Sequence, residues 1–254
     1  MISSYLSEIL NGFTTIKLEQ AKLIDLNNRV DFKYMLNKRA LSSILFDCRE
    51  QYNVVEINGK AWASYNNLYY DTKNYTFYHQ HHSGKLNRLK IRVRTYMETG
   101  QRFLELKFKT NKGRTNKMRL EMNSDVINNQ GSDFIRDHTG LNSSELLSAI
   151  LVSYDRLTLV KKDNKERITI DVNIGFTKNG KTTTMEDLAI IEIKQNAEEP
   201  SVLKNILHLH GINKDTLSKY CLGIAQLVPN IKQNLFKEKQ LAIQKIIDYG
   251  HRVS

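Results

Sequence analysis

The alternation of apolar and polar residues divides the chain into a strand-rich middle and helical ends. From residue 29 to 195, apolar side chains alternate with polar ones in runs of four or more residues, which is typical of half-buried β-strands. Short turns such as Ser83-Gly84 and Asn179-Gly180 separate these runs. The first 25 residues have a loose helical spacing, and further helices are expected at about 38–47, 142–150, 200–208, 216–226 and 231–247. The pattern predicts an α+β fold with one large antiparallel sheet.

Neither a repeat nor a low-complexity tract is visible in the 254 residues. We therefore expect one main domain over 29–230, preceded by a helical segment over 1–28 and followed by a C-terminal helix over 231–254. Two cysteines are too few for a disulfide framework and favour a reducing compartment. The sequence contains neither a long apolar run nor a basic region before its first apolar stretch, so we expect a cytoplasmic protein.

The charges of the predicted strands fall on one side of the sheet, because successive side chains point to opposite faces. This side carries thirteen cations and five carboxylates, an excess of eight positive charges, out of a net charge of +11 for the whole chain. The cations are Arg29, Lys33, Arg88, Lys90, Arg92, Arg94, Lys107, Lys109, Lys117, Arg119, Arg156, Arg167 and Lys194. The carboxylates are Asp31, Glu105, Glu121, Asp171 and Glu192.

Two arrangements explain such a face. An antiparallel sheet with one solvated face is the common one. The density of Arg and Lys, and the continuous apolar face with amphipathic helices to cover it, favour a barrel with helices outside and charges in its lumen. A lumen of about eight strands holds side chains or one slim ligand. Two cations about 10 Å apart repel by roughly 1.7 kcal/mol at an effective dielectric near 20, so a bound anionic chain relieves the repulsion.

Eight segments resemble the VTC domain, the polyphosphate polymerase branch of the triphosphate tunnel metalloenzyme (CYTH-like) superfamily. In chain order they are RVDFKYML, NLYYDT, GKLNRLKIRVRTY, FLELKFKTNKGRTNKMR, SYDRLTL, ERITIDVNI, IIEIK and SKYCLGIA. The resemblance covers about residues 29–227 and implies a closed antiparallel eight-stranded β-barrel tunnel with a basic lumen, with helices packed outside and at the ends.

The resemblance also implies the residues of the site. Catalytic contacts are expected from Lys33, Arg92, Arg94, Lys107, Lys117, Arg156, Arg167 and Lys219. Substrate contacts are expected from Lys90, Lys109, Ser218, Tyr154 and Arg29. Glu192 matches the glutamate that holds a divalent metal, Mn²⁺ or Mg²⁺. Lys107 and Lys109 lie on the same face, so the resemblance leaves open which of them is the family's lysine.

The residue types suit phosphoryl transfer, which needs positioning and charge neutralisation more than a covalent nucleophile. Arg supplies a planar fork for phosphate and Lys a compact point charge. The triphosphatase branch carries Glu-x-Glu-x-Lys on its first strand, whereas this chain has Arg29, Asp31 and Lys33 at those positions. This departure weakens the hydrolase interpretation.

The expected activity is therefore transfer of the γ-phosphate of ATP to inorganic polyphosphate, an ATP:polyphosphate phosphotransferase reaction. An inorganic or nucleoside triphosphatase and a non-catalytic polyphosphate-binding sensor are the alternatives. No nucleic-acid partner is expected. A basic amphipathic helix over 232–245 leaves open contact with the inner face of a membrane or with a membrane-protein partner.

Other signals are weaker. Residues 175–182 satisfy the P-loop formula, but an alternating strand precedes them and too few residues follow for a helix, so we interpret them as a hairpin. His79, His81 and His82 lack the companion ligands of a zinc site and are expected at the surface or at the tunnel mouth. Glu105 and Asp171 either help to hold metal or pair with neighbouring cations.

Overall fold

The computed structural model describes residues 4–22, 29–111, 115–197 and 199–252, with the side chains of 4, 5, 22, 29 and 249–252 left out. Within these ranges the helices are α1 Ser4–Asn11, α2 Leu18–Lys22, α3 Leu41–Cys48, α4 Thr76–His82, α5 Asn129–Thr139, α6 Val202–Leu209, α7 Lys219–Leu227 and α8 Lys237–Arg252. The strands are β1 Thr14–Lys17, β2 Arg29–Asn37, β3 Tyr52–Glu56, β4 Trp62–Thr72, β5 Arg88–Tyr96, β6 Arg102–Lys109, β7 Thr115–Met122, β8 Leu146–Lys161, β9 Glu166–Lys178, β10 Lys181–Met185, β11 Leu188–Asn196 and β12 Lys214–Asp215.

All of these strands belong to one sheet, whose hydrogen-bonded order is β12-β2-β11-β9-β8-β4-β5-β6-β7. Eight of the nine strands in this order have at least eight residues, and all the pairs along it are antiparallel. The α+β class and the large antiparallel sheet are thus confirmed. The predicted closure is not confirmed, because no pairing in the described residues joins β7 to β2 or β12.

The open sheet is nevertheless curled. Five strands separate β2 from β6 in the hydrogen-bonded order. Even so, Lys33 on β2 and Lys90 on β5, the neighbour of β6, reach adjacent residues: Lys33 donates to the carbonyl of Leu217 at 3.4 Å and Lys90 to Oγ of Ser218 at 3.1 Å. These contacts indicate that the sheet brings the charged faces of distant strands toward each other, as strand twist and tilt do in barrels.

The apolar face of the sheet lies outside and is covered by helices, as predicted. The first cluster of buried residues joins α1, α3 and α6 to the outer faces of β2, β8, β9 and β11. A second packs α5, through Ile135, against β5, β6 and β7. In β6 the split is strict: Leu104 and Leu106 are fully buried in this outer layer, and Glu105 points to the opposite side.

An apolar cluster covers one end of the charged side. Met35 and Ile190 share the face of Lys33 and Glu192 but lie one step farther along β2 and β11. Both are buried with Ile224 of α7 and Ile243 of α8. We call this apolar cluster the plug. The same face therefore changes from charged to apolar within two residues of each strand.

Gly223 lets α7 approach the sheet in the plug. A Cβ built on this residue comes 2.5 Å from Cδ1 of Phe176 and 2.6 Å from Cδ1 of Ile150. Phe176 is fully buried and Ile150 nearly so. Neither side chain has free space into which to retreat, so the close packing requires glycine here.

The P-loop formula over 175–182 lies in the hairpin between β9 and β10, as the sequence analysis expected. Lys181 pairs with Lys178 across the turn. Asn179 and Gly180 have φ values of 48° and 75°, as a tight hairpin requires. The chain continues into a strand and not into a helix, so no helix N-terminus is available for phosphate at this place.

The helix expected at 142–150 is wrong. A 3₁₀ turn over Ser143–Glu145 leads into the 16-residue strand β8, which starts at Leu146. Its alternating burial is set by pairing with β4 and β9, a long-range effect that overrides local spacing.

The helices predicted at 38–47, 200–208, 216–226 and 231–247 correspond to α3, α6, α7 and α8, with shifted ends. The helices α4 and α5 were not predicted.

The N-terminal part combines the expected helical spacing with one strand. Leu6, Ile9 and Leu10 of α1 are buried against the outer layer. The strand β1 then pairs in parallel with β3, which the spacing did not indicate.

The division of the chain at residues 28 and 230 stays a prediction. No helix among the described residues is long and apolar enough to cross a bilayer.

We expect Gly223→Ala to destabilise the protein. Overpacking costs about 1–3 kcal/mol, and the higher helix propensity of alanine returns at most about 1 kcal/mol. The net loss, about 1–2 kcal/mol, is measurable by urea unfolding. Gln226→Ala, at an exposed position of the same helix, is the matched control and leaves stability within about 0.5 kcal/mol. Equal stability of Gly223→Ala and the wild type would contradict the close packing.

Candidate functional site

The charged face of the curled sheet is the candidate site. Nine cations on or beside it are Lys33, Lys90, Arg92, Arg94, Lys107, Lys117, Arg156, Lys194 and Lys219, and three carboxylates among them are Glu105, Asp171 and Glu192. These groups hold an excess of six positive charges. Their pairing decides which cations remain for a ligand.

Glu105 is the centre of the first ion-pair group. It is 2% exposed and binds Arg92, whose Nε lies 2.7 Å from Oε2, and Lys117, whose Nζ lies 2.7 Å from Oε1. The Nε of Arg94 lies 3.9 Å away. Burial by itself raises the pKa of Glu105, but these three cations outweigh it and hold the pKa well below its ordinary value. Glu105 is therefore ionised and structural, and metal binding is not needed to explain it.

The two arginines are fixed by further partners. Arg92 donates from Nη1 to the hydroxyl of Tyr69 at 2.9 Å. Arg94 donates from Nε to Oδ1 of Asn67 at 2.8 Å and from Nη2 to the hydroxyl of Tyr154 at 3.1 Å. Both guanidinium groups are thus oriented before any ligand arrives, which reduces the entropy lost on binding.

Asp171 organises the second group. Arg156 binds it through Nε and Nη2, the latter 2.8 Å from Oδ2, and Lys219 of α7 pairs with the same oxygen. These cations hold the pKa of Asp171 well below its usual range, against the effect of burial. The Arg156 guanidinium also lies 5.4 Å and 5.1 Å from the ring centroids of Tyr65 and Tyr154. Asp171, like Glu105, thus pairs with neighbouring cations.

Glu192 forms the third group. Its carboxylate pairs with Lys194 and lies 3.8 Å from Nζ of Lys33, and these cations keep its pKa well below the ordinary value although burial opposes them. Thr169 lies directly across from Glu192 on β9 and is buried, and its hydroxyl has no hydrogen-bond partner. An ionised carboxylate beside an unpartnered buried hydroxyl suits a hydrated cation or a phosphate oxygen.

Three lysines, Lys33, Lys90 and Lys107, form what we call the lysine cluster. Within the described residues, neither Lys90 nor Lys107 has a carboxylate within ion-pairing distance. Lys90 donates to Oγ of Ser218 at 3.1 Å, and Lys33 donates to the carbonyl of Leu217 at 3.4 Å. The N-terminal end of α7 therefore contacts cluster lysines from two strands.

Burial and neighbouring like charges lower the pKa values of two lysines of the lysine cluster. Burial first, and then Lys33 and Lys107, lower the pKa of Lys90 to about 7. Although water reaches Lys107, its confined surroundings and then Lys33 lower its pKa to about 8. Both shifts mean that the protein destabilises the ammonium forms, which a bound anion reverses.

The structure brings most predicted site residues together on this face. Lys33, Arg92, Arg94, Lys107, Lys117, Arg156, Glu192, Lys219, Lys90, Ser218 and Tyr154 take part in the contacts above. Lys107 lies in the lysine cluster, whereas Lys109 lies two residues farther along β6, opposite Arg88. Arg167 has the same orientation as Asp171, four residues away on β9, and lies opposite Lys194. The side chain of Arg29 lies outside the described residues.

Sequence reasoning missed several contributors. Asn67 and Tyr69 orient the two arginines, and their signal was the alternation in β4, which places them on the charged face. His81 lies beside the charged face as well: its Nε2 accepts a hydrogen bond from Nε of Arg88 at 3.2 Å, and Lys90, Lys33 and Lys107 contribute to lowering its pKa. The expectation that the three histidines lie at the surface or at a tunnel mouth stays a prediction, because a closed tunnel is not confirmed. No group of three or more metal-ligating side chains occurs in the described part of the chain.

We expect the stability of the ligand-free protein to rise with pH because of Lys90. Its folded-state pKa of about 7 lies below that of lysine in an unfolded chain, about 10.4, so the unfolded chain binds more protons between these values and stability increases with pH across this window. Lys90→Met removes this contribution. The variant therefore gains more stability over the wild type at pH 6.5 than at pH 9.5 in urea unfolding. An equal difference at both pH values would contradict the crowding, and Lys181→Met, at an exposed position, is the control.

Comparison with known proteins shows which fold and which family this chain shares. No protein of curated function matches the chain at significant similarity. An adenylate cyclase-like protein of Bacillus halodurans (bh2851) has a similar structure, with a TM-score of 0.52 and 13% identity over 79% of this chain and 99% of that one. The adenylyl cyclase-like protein HpAC1 of Hippeastrum, described as having a dominant triphosphatase activity, has a TM-score of 0.51 and 16% identity over 79% of this chain and 98% of that one. At these identities the two structures show a shared fold.

The family model of the VTC domain matches residues 28–228, most of the chain, and the chain therefore belongs to the VTC domain family.

Proposed function

We propose that the protein is a polyphosphate polymerase, which transfers the γ-phosphate of ATP to the end of an inorganic polyphosphate chain on its charged face. The observation that carries this proposal is the lysine cluster. Its members are held together without enough carboxylate to neutralise them, and the cost of that arrangement is relieved by a polyanion. Membership of the VTC domain family supports the same substrate class.

The two kinds of cation have different tasks in this proposal. Arg92, Arg94 and Arg156 are fixed by Glu105, Asp171 and tyrosines, so they present a rigid surface of donors to nonbridging oxygens. Lysines of the cluster are held by weaker partners, Leu217 and Ser218, and exchange them for phosphate. The rigid donors orient the nucleotide triphosphate and the cluster attracts the acceptor chain.

The reaction requires little further chemistry from the protein. The acceptor is a phosphate oxygen that is already ionised, so no general base is needed. The attacking oxygen and the leaving ADP need to be in line at the γ-phosphorus, and charge on the transferred group needs neutralisation. Lys219, paired with Asp171 at the start of α7, supplies a cation at the end of the face nearest to the plug.

Glu192 is the residue that holds a divalent cation in this proposal. One carboxylate, with the unpartnered hydroxyl of Thr169 opposite, fits an ion that takes most of its ligands from phosphate and water. When bound, Mn²⁺ or Mg²⁺ neutralises charge on the phosphate oxygens. Lys33 and Lys194 pair with Glu192 in the ligand-free protein. With a divalent cation held at this carboxylate, both lysines would be available to phosphate oxygens.

A triphosphatase is the second candidate, because HpAC1, which shares the fold, is described as one. Hydrolysis uses the same cations and differs only in the acceptor, which is water. The composition of β2 opposes it, since Arg29 stands where the triphosphatase branch has a carboxylate. A sensor that binds polyphosphate without turnover is the third candidate. The cytoplasmic location and a membrane-protein partner stay predictions from the sequence.

The deciding experiment incubates purified protein with γ-labelled ATP and Mn²⁺ or Mg²⁺ and separates the products on a denaturing gel. A ladder of acid-labile, nuclease-resistant polymers supports the polymerase. Labelled orthophosphate alone supports the triphosphatase and overturns the proposal. Absence of turnover with either metal, together with tight binding of polyphosphate, supports the sensor and likewise overturns it.

We expect Lys107→Ala to reduce polymer synthesis by about 10- to 100-fold, the loss of one charge-assisted phosphate contact of roughly 1.5–3 kcal/mol. Because Lys107 pairs with no carboxylate in the described part of the chain, its removal relieves repulsion, and the unfolding midpoint stays equal or rises. Lys181→Ala in the β9–β10 hairpin is the matched control and also tests the P-loop alternative. Loss of synthesis in Lys181→Ala, with full activity in Lys107→Ala, would move the site to the hairpin.

We expect Glu192→Gln to raise the metal concentration required for half-maximal synthesis by at least tenfold, because the amide lacks the charge that holds a divalent cation. The readout is a titration of Mn²⁺ and of Mg²⁺ at saturating ATP, with the unfolding midpoint as the test of folding. Glu121→Gln, an exposed carboxylate on β7, is the control. An unchanged titration would remove Glu192 from the metal site.

A further inference from the structure

Of the three histidines in α4, His81 is the one that faces the charged side of the sheet. Its Nε2 accepts a hydrogen bond from Nε of Arg88 at 3.2 Å. His79 is exposed, and His82 is buried away from the site, where its Nε2 accepts from the backbone N–H of Leu235. Thus the three histidines have three different surroundings, and one of them belongs to the candidate site.

The position of His81 is fixed by the anchoring of α4. The buried carboxylate of Asp71 accepts hydrogen bonds from the backbone N–H groups of Phe77 and Tyr78, both at 2.9 Å. The hydroxyl of Tyr220 on α7 donates to the same carboxylate. This carboxylate therefore ties the start of α4 to β4 and α7, and the last turn of α4 carries His81 over the strands.

The charged groups that act on the imidazole are cations from three strands. They are Arg88 and Lys90 on β5, Lys33 on β2 and Lys107 on β6. From α7, the uncharged Ser218 contacts Lys90, and Glu192 enters this region through its pairing with Lys33. Burial first, and then the four cations, lower the pKa of His81 to about 2, so the imidazole is neutral and its Nε2 lone pair is engaged by Arg88.

We propose that His81 is a conditional phosphate ligand, which is a neutral acceptor for Arg88 in the empty site and becomes a charged donor when an anionic phosphate chain binds to the lysine cluster. A proton from solvent bonds to Nε2, and Arg88 loses this acceptor and turns to a phosphate oxygen. The binding of the chain thereby takes up one proton and adds two donors. This inference rests on the phosphate-chain binding of the proposed function, but not on turnover.

The size of the effect follows from linkage between proton and anion binding. A phosphate chain neutralises the surrounding cations and places anionic oxygens beside the imidazole, which offsets its burial and raises its pKa toward the ordinary value of about 6.5. Between pH 8 and pH 5.5 such a histidine strengthens binding by about tenfold, because it is charged in the complex and neutral in the free protein. A chain held at pH 8 is bound by the lysines and arginines alone.

The test measures the dissociation constant of inorganic tripolyphosphate from pH 5.5 to pH 8 by calorimetry, at constant ionic strength and without metal. The variants are His81→Gln, neutral at every pH, and His81→Arg, charged at every pH. Titration of the ligand and of the lysines is common to all proteins and cancels in the ratios. His79→Gln, on the exposed side of the same helix, is the control, and the unfolding midpoint is recorded for each variant at each pH.

We expect the affinity of the wild type relative to His81→Gln to increase about tenfold as the pH falls from 8 to 5.5. Its affinity relative to His81→Arg increases by the same factor, because neither variant titrates at this position. In buffers of different ionisation enthalpy at pH 6, the wild type takes up more protons on binding than His81→Gln, by up to one per ligand. His79→Gln behaves as the wild type does.

A ratio of wild type to His81→Gln that does not change with pH, while tripolyphosphate still binds, would overturn this inference and leave the proposed function standing. Loss of tripolyphosphate binding in all of the proteins, including the wild type, would overturn the proposed function and this inference with it. Turnover is not measured, so the decision between polymerase, triphosphatase and sensor does not affect the result.

Discussion

Repulsion among cations on the inner face is the constraint on which the rest of the structure depends. Glu105 and Asp171 are nearly inaccessible to solvent, and each holds two or more cations at hydrogen-bond distance. Without these two carboxylates, the curl of the sheet would bring the nine cations of the charged face together with Glu192 as the one remaining carboxylate among them. The buried carboxylates therefore stabilise the fold, and the cations that they leave unneutralised make the face electropositive. The same ion pairs determine both the curl of the sheet and the charge of its inner face.

The faces of the strands could be predicted from the sequence, because the period of two is a local property of the backbone. Closure could not, since it depends on how far twist accumulates over nine strands and on hydrogen bonds between strands distant in the chain. The same reason explains the wrong helix at 142–150, where pairing with β4 and β9 decides. The short helix α4 was missed because the N–H groups of its first turn are bound by Asp71, a carboxylate at the end of a strand several residues earlier, and not by its own N-cap residue Tyr75.

The candidate site shows a similar division. Residue types, and their common side of the sheet, were accessible from the sequence and from the resemblance to the VTC domain. The distinction between fixed and free cations was not, because it depends on which strand places a carboxylate opposite which cation. Arg92 and Lys107 look equivalent in the alternating pattern, yet Arg92 is bound to Glu105, whereas Lys107 pairs with no carboxylate among the residues that the structure describes. The proximity of Lys107 to Lys33 was not accessible either, because it depends on the curl that brings β6 toward β2.

The plug gives the charged face a direction. Along β2 and β11 the lining changes from Lys33 and Glu192 to Met35 and Ile190, and α7 and α8 fill the space beyond them. A phosphate chain retains its charges along its whole length and has no favourable place among these side chains. A phosphate chain bound along these strands, as proposed, would therefore have one terminus at the plug, and additional length would extend toward the opposite, polar end. Such a site would distinguish the two termini of a polymer whose own chemistry is symmetric.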